Sequence, residues 1–187
     1  MPFSYDIFNN TISTHLAKLN VESVLDVGAG AGKYGNICRH IPSIKAINAV
    51  EPTSKYVEDY SLHQIYTNVY NETIQDFIIN NCTSRYDVVI FGDVLEHFFR
   101  SQAIDYVDYF LYRSKWVIAL WPTFYPQDNA MDNQYEIHKS NFNILDFADK
   151  FDIHYFEKKT IEGYNGISSQ YNYCIMKGHM TEKNASI

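Results

Sequence analysis

No stretch of the 187-residue sequence is apolar over anything near the roughly 20 residues that a membrane-spanning helix needs, so a helical span is excluded. The N-terminus shows no basic segment followed by an apolar one, the mark of a secretory leader, and the expected compartment is the cytoplasm. Cysteine is scarce. Cys38, Cys82 and Cys174 are odd in number and lack metal-type spacing, which fits reduced, mostly buried thiols. Positive charge is also short: 15 Lys and Arg stand against 22 Asp and Glu, for a net charge of −7. That argues against broad nucleic-acid binding, which depends on a basic face to displace counterions from phosphates, and leaves only a local basic patch open. There is no internal repeat and no low-complexity segment.

What remains is a composition of 46% hydrophobic and 20% charged residues, that of a soluble globular chain. Its length fits a single domain, residues 1–187, able to bury roughly 70% of its unfolded surface in one core. The 16 tyrosines and 12 phenylalanines read as packing and amphipathic surface cover rather than as a base-stacking platform.

Residues 24–35, VLDVGAGAGKYG, organise the rest. Val24, Leu25 and Val27 around Asp26 read as the end of a buried parallel strand, and Gly28, Gly30 and Gly32 follow at once. Glycine suits such a turn because the backbone takes positive φ there and a ligand can approach where a Cβ would collide. From Tyr34 onward the turn opens a helix, whose free N–H groups and dipole would face that ligand. A dinucleotide dehydrogenase fingerprint wants glycine at 28, 30 and 33, but position 33 is Lys33; a Walker loop wants Ser or Thr after its lysine, but Lys33 is followed by Tyr34.

Along the chain, residues 3–19 carry Phe3, Ile7, Phe8, Ile12, Leu16 and Leu19 near helical spacing, with Ser4 a candidate cap. The segment 1–20 is expected to be a helix covering the sheet, or a lid. Strands are expected over 23–27, 45–50, 64–70, 86–91 and 116–120, with helices over 34–39, 55–60, 74–78, 102–112 and 142–150. YDVVIF, residues 86–91, is the near-continuous apolar run of a strand buried on both faces of a parallel sheet. Residues 123–139 show no clear period and read as a functional loop. Strands over 151–160 and 170–176 form a closing antiparallel hairpin around Gly163 and Gly166, and residues 179–187 are an expected frayed tail. Strands alternating with helices and ending in a hairpin define an α/β, doubly wound, Rossmann-like sheet, mostly parallel, in which ligands bind outside the carboxyl ends of the strands.

The pattern acidic-x-Gly-x-Gly-x-Gly, met by Asp26, Gly28, Gly30 and Gly32, resembles motif I of the class I S-adenosylmethionine-dependent methyltransferases, and the resemblance runs over most of the chain from about residue 22. It implies seven strands with the last antiparallel, S-adenosyl-L-methionine as cofactor and S-adenosyl-L-homocysteine as product. It also implies a cofactor site drawn from Asp26, Gly28, Ala29, Gly30, Tyr34, Glu51, Pro52, Glu72, Asp93 and Val94. Glu51 lies 23 residues beyond Gly28, about where a carboxylate takes both ribose hydroxyls of an adenosine, having two oxygens to offer two donors. Near the adenine amine the candidates are Asn71, Glu72 and Asp76, with Glu72 favoured.

YDVVIFGDVLEHF, residues 86–98, resembles motif IV and its extension in small-molecule methyltransferases, which would put Asp93 beside the methionine part of the cofactor. Methyl transfer from a sulfonium is an in-line displacement, so holding donor and acceptor at attack distance in a dry site supplies much of the catalysis. A sugar-type hydroxyl is too weak an acid to ionise unaided and calls for a base or a metal. Asp93-x-x-Glu96-His97, with Glu136-x-His138 in the long loop, can supply either, and carboxylates with imidazoles suit Mg²⁺ or Mn²⁺.

This pattern is similar to that of metal-dependent small-RNA 2′-O-methyltransferases and ubiquinone-pathway O-methyltransferases, which carry acidic-x-x-Glu-His after strand four. The first of these families adds a later histidine, for which His138 is the candidate, although the family's later basic-histidine motif is not reproduced here. The first acidic residue here is Asp rather than Glu, and metal-free relatives also carry Leu-Glu-His. The expected catalytic residues are therefore His97, His138 and Glu136, with Asp93, Glu96, His97 and His138 as a possible metal set. Ser140 joins Glu136 and His138 as an expected lining of the acceptor pocket, and Trp121, Phe124 and Tyr125 as its apolar wall. The leading expectation is an O-methyltransferase for a sugar, nucleotide or related small molecule. The alternatives are an RNA-terminus 2′-O-methyltransferase and a non-catalytic partner subunit with the cofactor fold.

Overall fold

The protein is described from a computed structural model, over residues 4–130, 132–162, 166 and 168–180. Phe3, Gly163 and residues 181–187 of the expected tail lie outside the described residues. Seven strands form one sheet in the order β3-β2-β1-β4-β5-β7-β6, the doubly wound, Rossmann-like arrangement expected. The strands are β1 (Ser23–Val27), β2 (Ala46–Val50), β3 (Asn68–Tyr70), β4 (Tyr86–Gly92), β5 (Ser114–Pro122), β6 (Ile153–Glu162) and β7 (Ser168–Lys177). The chain divides into two compact units, Met1–Gly92 and Asp93–Ile187.

In the first unit β1 pairs in parallel with both β2 and β4, and β2 with β3. Parallel central strands are covered on both faces, which requires continuous apolar runs; accordingly Val24, Leu25, Val88, Val89, Ile90 and Phe91 are all buried. The helices are α1 (Asn9–Leu19), α2 (Lys33–Arg39), α3 (Ser54–Asp59), α4 (Leu62–Ile65) and α5 (Ile74–Asn80). Ile12 and Leu16 form the buried face of α1, one turn apart. Ser4 does not cap that helix, because a 3-10 turn over Asp6–Phe8 intervenes and Phe8 occupies the cap position. Lys33 ties the turn down: its ammonium pairs with Asp6 at 3.3 Å and donates to the Tyr5 carbonyl.

The strand expected over 64–70 is shorter. Alternation in QIYTNVY imitates a strand, but Leu62 is fully buried and closes a single helical turn, so extended pairing begins only at Asn68. The α5 start is conventional, with the Thr73 hydroxyl accepting the Asp76 N–H at 3.2 Å.

In the second unit β7 lies between β5 and β6 and is antiparallel to both. The strand expected over 116–120 extends to Pro122, because Trp121 and Pro122 continue the ladder opposite Asn172 and Tyr171. Helix α6 (Arg100–Leu111) buries Ala103, Val107, Phe110 and Leu111. The helix expected over 142–150 contracts to α7 (Leu145–Ala148): Asn143 accepts the Leu145 N–H at 2.8 Å and donates its own N–H to Asp146, fixing the start. Phe142 instead packs on Phe147, and its carbonyl accepts the Trp121 indole N–H at 3.0 Å.

Candidate active site

Two constellations stand out, one in each unit. The first is built on the turn after β1. Gly28, Gly30 and Gly32 all have positive φ, at 74°, 52° and 79°, a region that side chains with a Cβ rarely adopt. The Gly28 and Ala29 N–H groups donate to the Val50 carbonyl at 2.8 and 3.3 Å, which anchors the turn to the end of β2. Glu51, the next residue, is only 4% exposed. Its Oε2 accepts the Gly30 N–H at 2.9 Å and its Oε1 accepts the Thr53 N–H at 2.9 Å. The two carboxylate oxygens thus tie the glycine turn to the start of the segment after β2.

Asp26 is completely buried. Its Oδ2 accepts the Tyr66 hydroxyl at 2.5 Å, while Oδ1 has no hydrogen-bond partner among the described residues. Burial pushes its carboxyl up to about 7, the Tyr66 hydrogen bond opposing this and the Glu51 charge adding to it. Tyr34 is buried, and its ring occupies the space a side chain at Gly92 would need. Pro52 is half-buried beside Glu51. Glu72 accepts from Asn80 Nδ2 at 2.7 Å and from Asn81 Nδ2 at 3.4 Å, and Asn71 donates to the Glu51 carbonyl at 2.7 Å.

The second constellation follows β4. Asp93 has φ 55°, an uncommon conformation for a residue with a Cβ, and its N–H donates to the Leu120 carbonyl at 3.0 Å. Its carboxylate accepts the hydroxyl of the fully buried Tyr171. Val94 leads into a 3-10 turn over Leu95–His97, which buries Glu96 to 2% exposure and leaves its Oε2 without a partner among the described residues. The long loop is drawn onto this turn by its backbone: Lys139 and Ser140 N–H both donate to the Glu96 carbonyl, at 2.7 and 3.1 Å, and His138 N–H donates to Gln127 at 3.0 Å.

The result is that one ligand-type atom from each of Glu96, His97 and His138 lies within 4.8 Å of the others, close enough for one cation to reach all three. The imidazoles meet edge to face, with centroids 4.7 Å apart. His138 Nδ1 is 2.5 Å from the Tyr125 carbonyl, which fixes the Nδ1–H tautomer and leaves Nε2 with its lone pair. His97 Nδ1 lies 3.3 Å from the Ile137 carbonyl.

Burial raises the Glu96 carboxyl well above its ordinary range, with the Asp93 charge adding to it. Burial lowers both imidazoles, His138 to about 4, so both are neutral near pH 7 as metal ligands must be. Glu136, 6% exposed, faces this group and is held by Gln127 Nε2, which reaches its carbonyl at 2.7 Å and its Oε2 at 3.3 Å. Trp121 is fully buried, whereas Phe124 is exposed.

Of the expected residues, then, the structure brings together Glu96, His97 and His138, and separately joins Glu51 to the glycine turn; the Asp93 carboxylate goes to Tyr171. Sequence reasoning missed Tyr66 and Tyr171. Both hydroxyls sit where a buried tyrosine needs a hydrogen-bond partner, the one signal that would have marked them.

No family model matches the sequence, and no curated protein matches it. Solved structures do. The N-methyltransferase NodS from Bradyrhizobium japonicum WM9, in complex with S-adenosyl-L-homocysteine, superposes at TM-score 0.62 and 11% identity over 93% of this chain and 89% of its own. Magnesium protoporphyrin IX methyltransferase (ChlM) from Synechocystis PCC 6803, with bound SAM, gives 0.59 and 13% over 89% and 77%. The methyltransferase domain of bacterial CtHen1-C gives 0.60 and 17% over 91% and 96%. With the strand order and the glycine turn, these similarities show that the chain has the class I S-adenosylmethionine-dependent methyltransferase fold.

Proposed function

We propose that the protein is an S-adenosyl-L-methionine-dependent methyltransferase acting on a hydroxyl of a small molecule such as a sugar, a nucleotide or a related metabolite. The observation that carries the reading is the turn over Gly28–Gly32, closed by the Glu51 carboxylate on the fold of the methyltransferases. It supports a cofactor whose adenosine diol is taken by Glu51, with Asp26 Oδ1 as a second, unpartnered acceptor. NodS and ChlM, solved with S-adenosyl-L-homocysteine and SAM respectively, carry such a cofactor on this fold. The bound cofactor would supply an electrophilic methyl group on a sulfonium. The chain's task is to hold it, to exclude water and to handle the acceptor's proton.

That last task falls to Glu96, His97, His138 and Glu136. The donor set of one carboxylate and two neutral imidazoles fits a divalent ion, and nitrogen donors favour Mn²⁺ or a later metal over Mg²⁺. Such an ion would acidify an acceptor hydroxyl and orient it. Without one, His138 Nε2 serves as the base. The same juxtaposition of Glu96, His97 and His138 favours a second reading, 2′-O-methylation of an RNA terminus, against which stands the net charge of −7.

The test is transfer of labelled methyl from S-adenosyl-L-methionine to pooled sugars and nucleotides and, separately, to short RNAs, each with chelator and with Mn²⁺ restored. Label in the small-molecule pool supports the first reading, and label in RNA alone supports the second. Cofactor binding without transfer to either defines a non-catalytic partner subunit. Chelator-resistant transfer removes the metal and leaves the imidazole base.

A further inference from the structure

Tyr66 lies just beyond α4, outside the glycine motif and far from it in sequence, yet it meets the strand before the turn at Asp26 and the helix after it at Gly35. Its hydroxyl donates to Asp26 Oδ2 at 2.5 Å and accepts the Gly35 N–H at 3.2 Å. Its ring fills the space beside two glycines: a Cβ at Gly35 would run into Tyr66 and Ile65, and one at Gly32 would meet Ile65, Leu62 and Tyr66. The residue is 5% exposed, and α4 exists to deliver it, since Leu62 and Ile65 form the same wall.

With one carboxylate oxygen held by Tyr66, Asp26 is left with a single buried oxygen, Oδ1, that no group among the described residues satisfies. A buried acceptor without a partner is costly in the empty protein and is relieved by a ligand that brings a donor.

We propose that Tyr66 is a positioning residue of the cofactor cradle, holding Asp26 and the glycine turn so that Asp26 Oδ1 receives a cationic donor of the cofactor, and that cofactor binding is thereby coupled to ionisation of Asp26. The inference rests on the methyltransferase reading above. The cofactor and its demethylated product both carry an α-ammonium group, a donor of the required charge. The titratable groups facing Asp26 are Tyr66 beside α4, Glu51 after β2 and Cys38 in α2, and none of them is a cation. Burial pushes the Asp26 carboxyl up to about 7, against which the Tyr66 hydroxyl and the Gly35 N–H hold it down. An incoming ammonium tips it to the carboxylate and a proton leaves to solvent.

The test is calorimetric titration of the whole protein with S-adenosyl-L-homocysteine between about pH 6 and 9, in buffers of different ionisation heat, alongside carboxyl ¹³C titration of the ligand-free protein. For the wild type, affinity is expected to rise about tenfold from pH 6 to pH 8, with a proton released at the lower end, and then to level off. Tyr66→Phe keeps the ring and removes the hydroxyl. It is expected to move the Asp26 titration and the affinity rise together to higher pH, with about tenfold weaker binding near pH 7 and most of the loss recovered near pH 9.

Asp26→Asn is expected to bind weakly with no pH dependence from this source. A Tyr66→Phe protein with wild-type affinity and profile, or one weakened equally at every pH, overturns the proposal, the second result marking a merely structural role. Failure of the wild type to bind S-adenosyl-L-homocysteine at all overturns the methyltransferase reading and this one with it.

Discussion

Replacing Asp26 by Asn changes one atom and should remove the pH dependence that this side chain gives to stability. In the folded protein the Asp26 carboxyl is raised from 3.8 to about 7 by complete burial. Between those two values the native state holds a proton that the unfolded chain has lost, so stability falls as pH rises, and the whole penalty is present above pH 7. At about 1.4 kcal/mol per unit, a shift of roughly 3 units costs on the order of 4 kcal/mol. Asn cannot ionise and escapes that cost, and its Oδ1 still accepts the Tyr66 hydroxyl. Its amide N–H₂ takes the buried Oδ1 position, where no hydrogen bond is made among the described residues, a loss of about 1–3 kcal/mol at any pH.

The variant is therefore expected to be more stable than the wild type by about 1–3 kcal/mol near pH 8, and less stable by a similar amount near pH 4. For a domain of this length that is a shift in melting temperature of several degrees in each direction. Thermal unfolding of the ligand-free proteins followed by circular dichroism across this range gives two curves that cross. Parallel curves, or a variant that is less stable throughout, would refute the assignment of a buried, proton-holding Asp26.

Glu51→Ala removes the acceptor that holds the Gly30 and Thr53 N–H groups as well as the proposed ribose contact, and should weaken S-adenosyl-L-homocysteine binding at least tenfold by calorimetry. Glu96→Gln and His138→Ala should each abolish stoichiometric Mn²⁺ binding, read by paramagnetic relaxation, while cofactor affinity stays within a factor of a few; unchanged Mn²⁺ uptake would remove the metal from the site. Gly92→Ala forces its methyl group into the Tyr34 ring and is expected to cost about 1–3 kcal/mol in urea unfolding, where a neutral result would mean that the ring moves freely.

The central parallel strands β1 and β4 were legible because they carry their burial in composition: VLDV and YDVVIF have few alternatives to a buried strand. Elements set by a local hydrogen bond or by a distant partner were harder to read. The Asn143–Asp146 cap shortens α7 although the hydrophobic residues run on from Phe142, and pairing with β7 lengthens β5 through a proline. The same division holds for the sites. Glu51, Glu96, His97 and His138 declare themselves by residue type and spacing. Tyr66 and Tyr171 matter through partners 40 and 78 residues away, and no local pattern marks either pairing.

We propose that the glycine turn and Glu51 form a site for S-adenosyl-L-methionine. Calorimetric titration of the wild-type protein with the cofactor, and in parallel with NAD, tests it most directly. One molecule of S-adenosyl-L-methionine should bind per chain and NAD should not bind with comparable strength, because Lys33 stands where the dinucleotide fingerprint needs its third glycine. Comparable binding of NAD, or no heat from the methyl donor, would contradict the account.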